Sequence, residues 1–171
     1  FRSDTKGGNI SFRWDRKFSD DSAVMLQMYY DRVDYKVLAV TDYRIESFDI
    51  DLNHNFLLFD RHHITWGANY RLYDNKINDS QLLSYRPRQR TNHLASGYLR
   101  DEIALIPEEL HFILGVRVDH NDFSGLEVQP NARLMWTPNP QNSVWGSVSR
   151  AVRTPSRAEN DLRLNTQIPR S

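Results

Sequence analysis

Apolar and polar residues alternate along most of this chain with a period of two, the signature of strands that show a different face to each side. Ile10, Phe12 and Trp14 share one parity, against Ser11, Arg13 and Asp15 on the other. Val24, Leu26, Met28 and Tyr30 stand opposite Gln27 and Asp31, and Phe48, Ile50 and Leu52 opposite Ser47, Asp49, Asp51 and Asn53. The cleanest run puts Ile64, Trp66, Ala68, Tyr70 and Leu72 against Thr65, Gly67, Asn69 and Arg71. Further on, Phe112, Leu114, Val116 and Val118 oppose His111, Gly115, Arg117 and Asp119; Val128, Ala132, Leu134 and Trp136 oppose Gln129, Asn131 and Arg133. Over 94–103 neither parity is uniformly apolar, and over 143–152 small and polar residues occupy both. The whole pattern predicts an all-β chain, an antiparallel up-and-down meander of about eight strands.

The connections predicted between them alternate in length. Short turns fall at 19–22, 57–62, 106–109 and 137–142; long polar loops fall at 34–44, 74–91 and 120–126, with another opening after Arg153. One trimmed rim and one elaborated rim is the asymmetry of outer-membrane barrels. Strands of about ten residues, rising about 3.3 Å each and tilted about 40°, cover an apolar band about 25 Å tall. Trp14, Tyr30, Trp66, Tyr70 and Trp136 fall near strand ends, where aromatic girdles lie. The other architecture with this alternation is a soluble β-sandwich or lipocalin-like barrel, such as a carbohydrate-binding module, whose apolar faces meet in a core. Sandwiches scatter long loops at both ends, so the rim asymmetry favours a membrane wall.

Composition narrows the chemistry. With 22 basic and 22 acidic residues in 171, net charge offers nothing to nucleic acid. The absence of Cys removes disulfides and thiolate metal sites. No apolar run is long enough for a transmembrane helix, and no charged-then-apolar leader opens the sequence. His62 and His63 are adjacent and point to opposite faces of a strand; His93, His111 and His120 lie on separate segments, so no metal site is expected. Asp49 and Asp51 share one face about 6–7 Å apart, a spacing compatible with paired carboxylate chemistry, but alternating carboxylates are equally ordinary in a wet lumen. Asn53, Thr65, Asn69 and Arg71 belong to that same polar surface. No catalytic residue and no cofactor is assigned. The basic run from Tyr85 to Arg90 reads as a solvated loop tip or a contact for phosphate groups.

The run Gln129-Pro-Asn-Ala-Arg-Leu-Met-Trp-Thr-Pro, followed by Val144-Trp-Gly-Ser-Val-Ser-Arg-Ala-Val-Arg-Thr-Pro-Ser-Arg-Ala-Glu, resembles the barrel of TonB-dependent outer-membrane receptors. Asp101-Glu-Ile-Ala-Leu and the stretch from Leu110 to Asp122 resemble the two preceding strands. The specific match covers about 99–159. The resemblance implies a segment of a transmembrane barrel of about 22 strands with a plugged lumen. Against that family's pattern, residues 1–171 contain no plug domain, no TonB box, too few strands and no final strand ending in an aromatic residue. A complete eight-stranded barrel also fits the length, but both ends of the meander fall on the long-loop side, which suits a piece of a larger barrel better.

What the resemblance implies about function is TonB-dependent uptake, in the outer membrane of a Gram-negative bacterium, of a ferric siderophore or a similar large scarce solute such as haem or cobalamin. Its partners would be TonB, reached through the plug, outer-membrane lipid and the ligand; an isolated piece would self-associate through its open sheet edges. Even-numbered positions would seal the bilayer and odd-numbered positions would line the channel. Arg150, Arg153, Arg157 and Glu159 would face the ligand vestibule, where Arg binds carboxylate or phosphate in bidentate fashion; the alternative is that they complete a lumen network or pair with the plug.

Overall fold

The computed structural model describes residues 3–37, 41–78, 83–153 and 155–164. Strands β1 (Ser3–Ser19), β2 (Ser22–Val37), β3 (Thr41–Leu58) and β4 (His62–Asn78) are followed by a three-residue β5 (Leu83–Tyr85). Then come β6 (Gln89–Ile106), β7 (Leu110–Asn121), β8 (Gly125–Asn139) and β9 (Asn142–Ser149), a short helix α1 (Arg157–Asp161) and β10 (Leu162–Leu164). The eight long strands form one antiparallel sheet in the order β1-β2-β3-β4-β6-β7-β8-β9, and β5 pairs with β10 in a separate ribbon. This is the expected meander.

The sheet is a single layer. Among the described residues Ile113 is the one buried hydrophobic side chain, while Ile10, Phe12, Trp136 and Val148 stay exposed. A sandwich would bury one whole face, so the soluble alternative lacks its second layer. β1 and β9 lie at opposite edges and do not pair with each other, so these strands do not close into a small eight-stranded barrel.

Register decides which side chains share a face, because a slip of one residue inverts a strand. One row runs Trp14, Leu26, Leu52, Ala68, Gly97, Val118 and Val128 across seven strands. The next runs Phe12, Met28, Ile50, Tyr70, Ala95, His120 and Leu126. This apolar outer face uses even positions on every long strand except β6. There the expectation fails: β4 pairs Ile64 with Asp101 and Trp66 with Leu99, so the odd positions of β6 face outward. The β4–β6 connection carries the change of parity. Asp101 is thereby placed on the apolar side, where His62 bonds its carboxylate at 2.8 Å. A carboxylate on a lipid-facing surface is costly toward the midplane and cheap near an interface. His62 is the first residue of β4, beside the short-turn rim.

The long loops are shorter than expected and the strands longer. Residues 34–44 are mostly ladder, with Asp34 opposite Arg44 and Arg32 opposite Glu46. β2 and β3 reach 16 and 18 residues, beyond the roughly ten that cross a bilayer. Their overshoot reads as loop because it is charged, yet those charges pair across strands: Arg44 to Asp34 at 2.5 Å and Arg32 to Glu46 at 3.4 Å. Residues 120–126 are a tight hairpin. The Asn121 side-chain oxygen accepts from the Phe123 and Ser124 amides at 2.9 Å, and Gly125 takes the left-handed φ of 71° that closes the turn.

Candidate ligand site at the long-loop rim

The inner face carries a continuous polar wall. Asp49 accepts from Arg71 at 2.7 Å and from Asn69 at 3.1 Å, and Asn69 also reaches Asp51 at 3.4 Å. Asn53 links Asp51 to the Tyr98 hydroxyl. Arg117 continues the wall to Ser96 at 3.1 Å and Asp119 at 2.9 Å, and Gln129 closes on Asp119 at 2.6 Å. Two glycines make room for these side chains to lie flat. A Cβ on Gly67 would meet Asn53 Oδ1 and Tyr98 Cε1 at 2.6 Å; one on Gly115 would meet the Asn131 amide at the same distance. Asp49 and Asp51 thus sit within a hydrogen-bonded lattice that occupies both carboxylates. Three other histidines have separate partners: His54 contacts Ser22 at 3.2 Å and Trp66 at 3.1 Å, His93 bonds the Tyr70 hydroxyl at 2.8 Å, and His111 lies 3.5 Å from Glu102. Among the described residues no group of three potential ligands is placed to hold a metal ion.

Above this wall, β9 leaves the sheet for a reason written in β8. Arg150 donates its backbone N–H to the Pro130 carbonyl at 3.0 Å, so the Pro130 backbone is directed toward β9. Proline has no N–H to return, so the ladder stops there. The Arg150 guanidinium then turns back onto the bare edge of β8, donating to the Val128 carbonyl and to Glu127 at 3.3 Å.

Past this exit the chain crosses the inner side of the rim. Ser156 and Glu159 form a reciprocal capping box that starts α1: the Glu159 amide donates to Ser156 Oγ and the Ser156 amide to the Glu159 carboxylate at 2.8 Å. That backbone bond, with the Arg153 guanidinium behind it, holds Glu159 down to about 2. Arg157 is buried, donating to the Asn75 carbonyl at 2.7 Å, to the Pro87 carbonyl at 2.5 Å and to Asp161 at 3.3 Å. Asp161 is shared with Arg90 at 3.0 Å, and Arg90 lies over the Phe123 ring at 4.4 Å. The β5–β10 ribbon continues the attachment, pairing Leu162 with Tyr85.

Of the four residues expected at the vestibule, Arg153, Arg157 and Glu159 are thus gathered on or beside α1, while Arg150 stands apart on the β8 edge. Asp161 and Asn75 escaped the sequence expectations, and Arg90, expected at a solvated loop tip or on a phosphate group, lies instead at the start of β6 and pairs with Asp161. The Ser156-x-x-Glu159 spacing was a legible helix-start signal and Arg157 with Asp161 has the spacing of a helical ion pair, but the Asn75 carbonyl that Arg157 also binds lies 82 positions away and leaves no local trace.

The sequence pattern of a family described as TonB dependent receptor-like, beta-barrel matches residues 1–167. The chain belongs to the TonB-dependent receptor β-barrel family. TonB-dependent receptor barrels are outer-membrane proteins of Gram-negative bacteria, and the family is one of receptors and transporters rather than enzymes. Among solved structures, the siderophore receptor PirA from Pseudomonas aeruginosa superposes with a TM-score of 0.74 at 17% identity. That likeness, which supports the fold, covers 90% of this chain and 29% of the receptor's. The siderophore receptor PirA from Acinetobacter baumannii aligns at 12% identity over 90% of this chain and 34% of its own, with a TM-score of 0.46 too low to build on. A comparison with curated proteins finds no match. Transmembrane barrels present an apolar band to lipid and keep a polar interior, the same division of faces that this sheet shows.

Proposed function

We propose that residues 1–171 form a wall segment of a larger TonB-dependent outer-membrane transporter that takes up a ferric siderophore or a similarly large, scarce solute such as haem or cobalamin. The observation that carries this reading is a single-layer sheet, apolar on one face and hydrogen-bonded polar on the other, in a chain of this family. A wall of that kind separates lipid from a wet channel. The edge strands β1 and β9 would pair with further strands of the barrel; isolated, they would drive self-association. TonB would supply the energy through a plug domain, and no bond-making chemistry falls to this segment.

The ligand would meet the external rim. Arg153 is highly exposed and Arg150 half-exposed, so both can offer a guanidinium to carboxylate or phosphate. Arg157 and Glu159 would act on the ligand by fixing the position of α1. The test is uptake of radioactive iron by cells expressing the full-length receptor as their only route, supplied with a panel of ferric siderophores, haem and cobalamin-linked label. Uptake of one of these that needs TonB supports the reading. Uptake of none, or uptake unaffected by loss of TonB, refutes it.

A further inference from the structure

The six buried polar residues among those described, Asn75, Ser84, Asn92, Asn121, Arg157 and Asp161, all lie at one corner of the molecule. It is the place where the segment after β9 lies down on the external ends of β4 and β6 and on residues 83–87 between them. Besides the β5–β10 pairing and the Arg86 amide on the Asp161 carbonyl, this attachment is made of guanidinium, carboxylate, amide and backbone carbonyl. Its centre is one carboxylate, Asp161, shared by two guanidiniums, Arg90 at 3.0 Å and Arg157 at 3.3 Å. Beside it Asn92, which is 2% exposed, has neither its side-chain nitrogen nor its oxygen hydrogen-bonded. Asn92 stands two residues from Arg90 on the same inner face of β6 and directly across from Tyr73 of β4. A buried amide with no partner is uncommon and marks hydrogen-bonding capacity that the closed arrangement leaves unfilled.

We propose that residues 155–164 are a strap latched over a polar floor, and that a carboxylate-bearing ligand opens it by taking the place of Asp161 on Arg90. The proposal rests on reading this rim as the ligand-facing side. The exchange conserves the chemistry of the floor, since one carboxylate leaves Arg90 as another arrives, while Asp161 departs with Arg157, its partner on the same helix. Opening then exposes Asn92 and the backbone carbonyls of Asn75 and Pro87, now held by Arg157, as further polar contacts. Nearby, Arg71 is committed to Asp49, Asp74 to Gln89 and Thr91, and the Asp122 carboxylate to the His93 amide at 2.7 Å, so the ion pair that crosses from strap to floor is Arg90 with Asp161.

The test uses the full-length receptor in outer-membrane vesicles, with citrate as the carboxylate probe and potassium chloride at matched ionic strength as the control. Asn92→Cys is labelled with a membrane-impermeant maleimide, and modification is read at that peptide by mass spectrometry. In a second readout Asn92 stays native and trypsin cleavage after the buried Arg157 reports the same opening. Both should be slow in the latched protein, at least about tenfold faster with Asp161→Asn, and accelerated by citrate but not by chloride. Citrate should add nothing once Asp161→Asn has opened the strap. Equal rates with and without Asp161→Asn, or chloride working as well as citrate, would overturn the proposal. Neither readout needs TonB, so failure here is distinct from failure of uptake.

Discussion

Replacing Gly67 by alanine should weaken the barrel wall, and the size of the effect follows from three distances. The new methyl would lie 2.6 Å from Asn53 Oδ1, 2.6 Å from Tyr98 Cε1 and 2.8 Å from the Leu52 carbonyl oxygen. The first two belong to side chains that could swing away, at the loss of the hydrogen bond between them. The third is backbone of the neighbouring strand and can move only by distorting the β3–β4 ladder, where Asn53 faces Gly67 directly. Overpacking of this kind costs about 1–3 kcal/mol. Alanine recovers about 0.5–1 kcal/mol of that, because glycine in a strand loses more backbone freedom on folding. The net expectation is a loss of up to about 2.5 kcal/mol, centred on about 1 kcal/mol. Gly146 of β9 is the control, since a methyl there meets nothing within 4 Å and Gly146→Ala keeps only the gain. Urea titration of the full-length receptor in lipid, followed by the gel shift between folded and unfolded barrel, should give a lower midpoint for Gly67→Ala than for wild type and the highest for Gly146→Ala. If Gly67→Ala unfolds at the same urea concentration as Gly146→Ala, the close approach of Tyr98 across the inner wall is not real.

Leu99→Arg on β6 should cost about 2–4 kcal/mol, or somewhat less if it lies toward an interface, whereas Ser96→Arg on the same strand should cost little, because only the first would face lipid; the same urea midpoints read both. Arg157→Ala leaves the Asn75 and Pro87 carbonyls without their donor and should loosen the strap locally by about 2–4 kcal/mol. Hydrogen exchange at the Arg86 amide, which donates to the Asp161 carbonyl, should quicken roughly 30- to 1,000-fold, with Arg157→Lys in between. The capping box should be sensitive to acid. Glu159 is held at about 2, below its unfolded value near 4.3, so its contribution is complete above that unfolded value and disappears as pH falls through about 2. Protease protection of α1 should follow that course in the wild type, and Glu159→Gln, which keeps a capping side chain without the charge, should remove the acid dependence.

The alternation of β1 to β4, β7 and β8 was legible because each keeps one parity apolar over at least three positions, as Ile64, Trp66, Ala68, Tyr70 and Leu72 do. β6 was not. Its outward positions include His93 and Asp101, its inward positions include Leu94 and Ala104, and its parity is set by a pairing with β4 across a long connection. The overshoot of β2 and β3 was hidden for a related reason. Once a strand clears the bilayer its outer face meets water, so the apolar signal stops at Tyr30 and Phe48 while the ladder runs on to Val37 and Thr41. At the rim, the resemblance pointed to Arg150, Arg153, Arg157 and Glu159, but their divergent surroundings depend on contacts distant in sequence. Arg150 bonds Glu127 on the β8 edge and Arg157 bonds Asn75 on β4. No local pattern separates an exposed guanidinium from a buried one when both follow the same strand.

The central claim is that lipid lies against the even positions of β7 and the odd positions of β6. Nitroxide labels placed one at a time at Ser96, Gly97, Tyr98 and Leu99, and at Ile113, Leu114, Gly115 and Val116, in the full-length receptor reconstituted in lipid, test it directly. Collision with oxygen dissolved in the bilayer should peak at Gly97, Leu99, Leu114 and Val116, and collision with a water-soluble nickel complex should favour the others. Oxygen peaks at Ser96 and Tyr98, or no alternation on either strand, would contradict the arrangement of lipid and lumen faces described above.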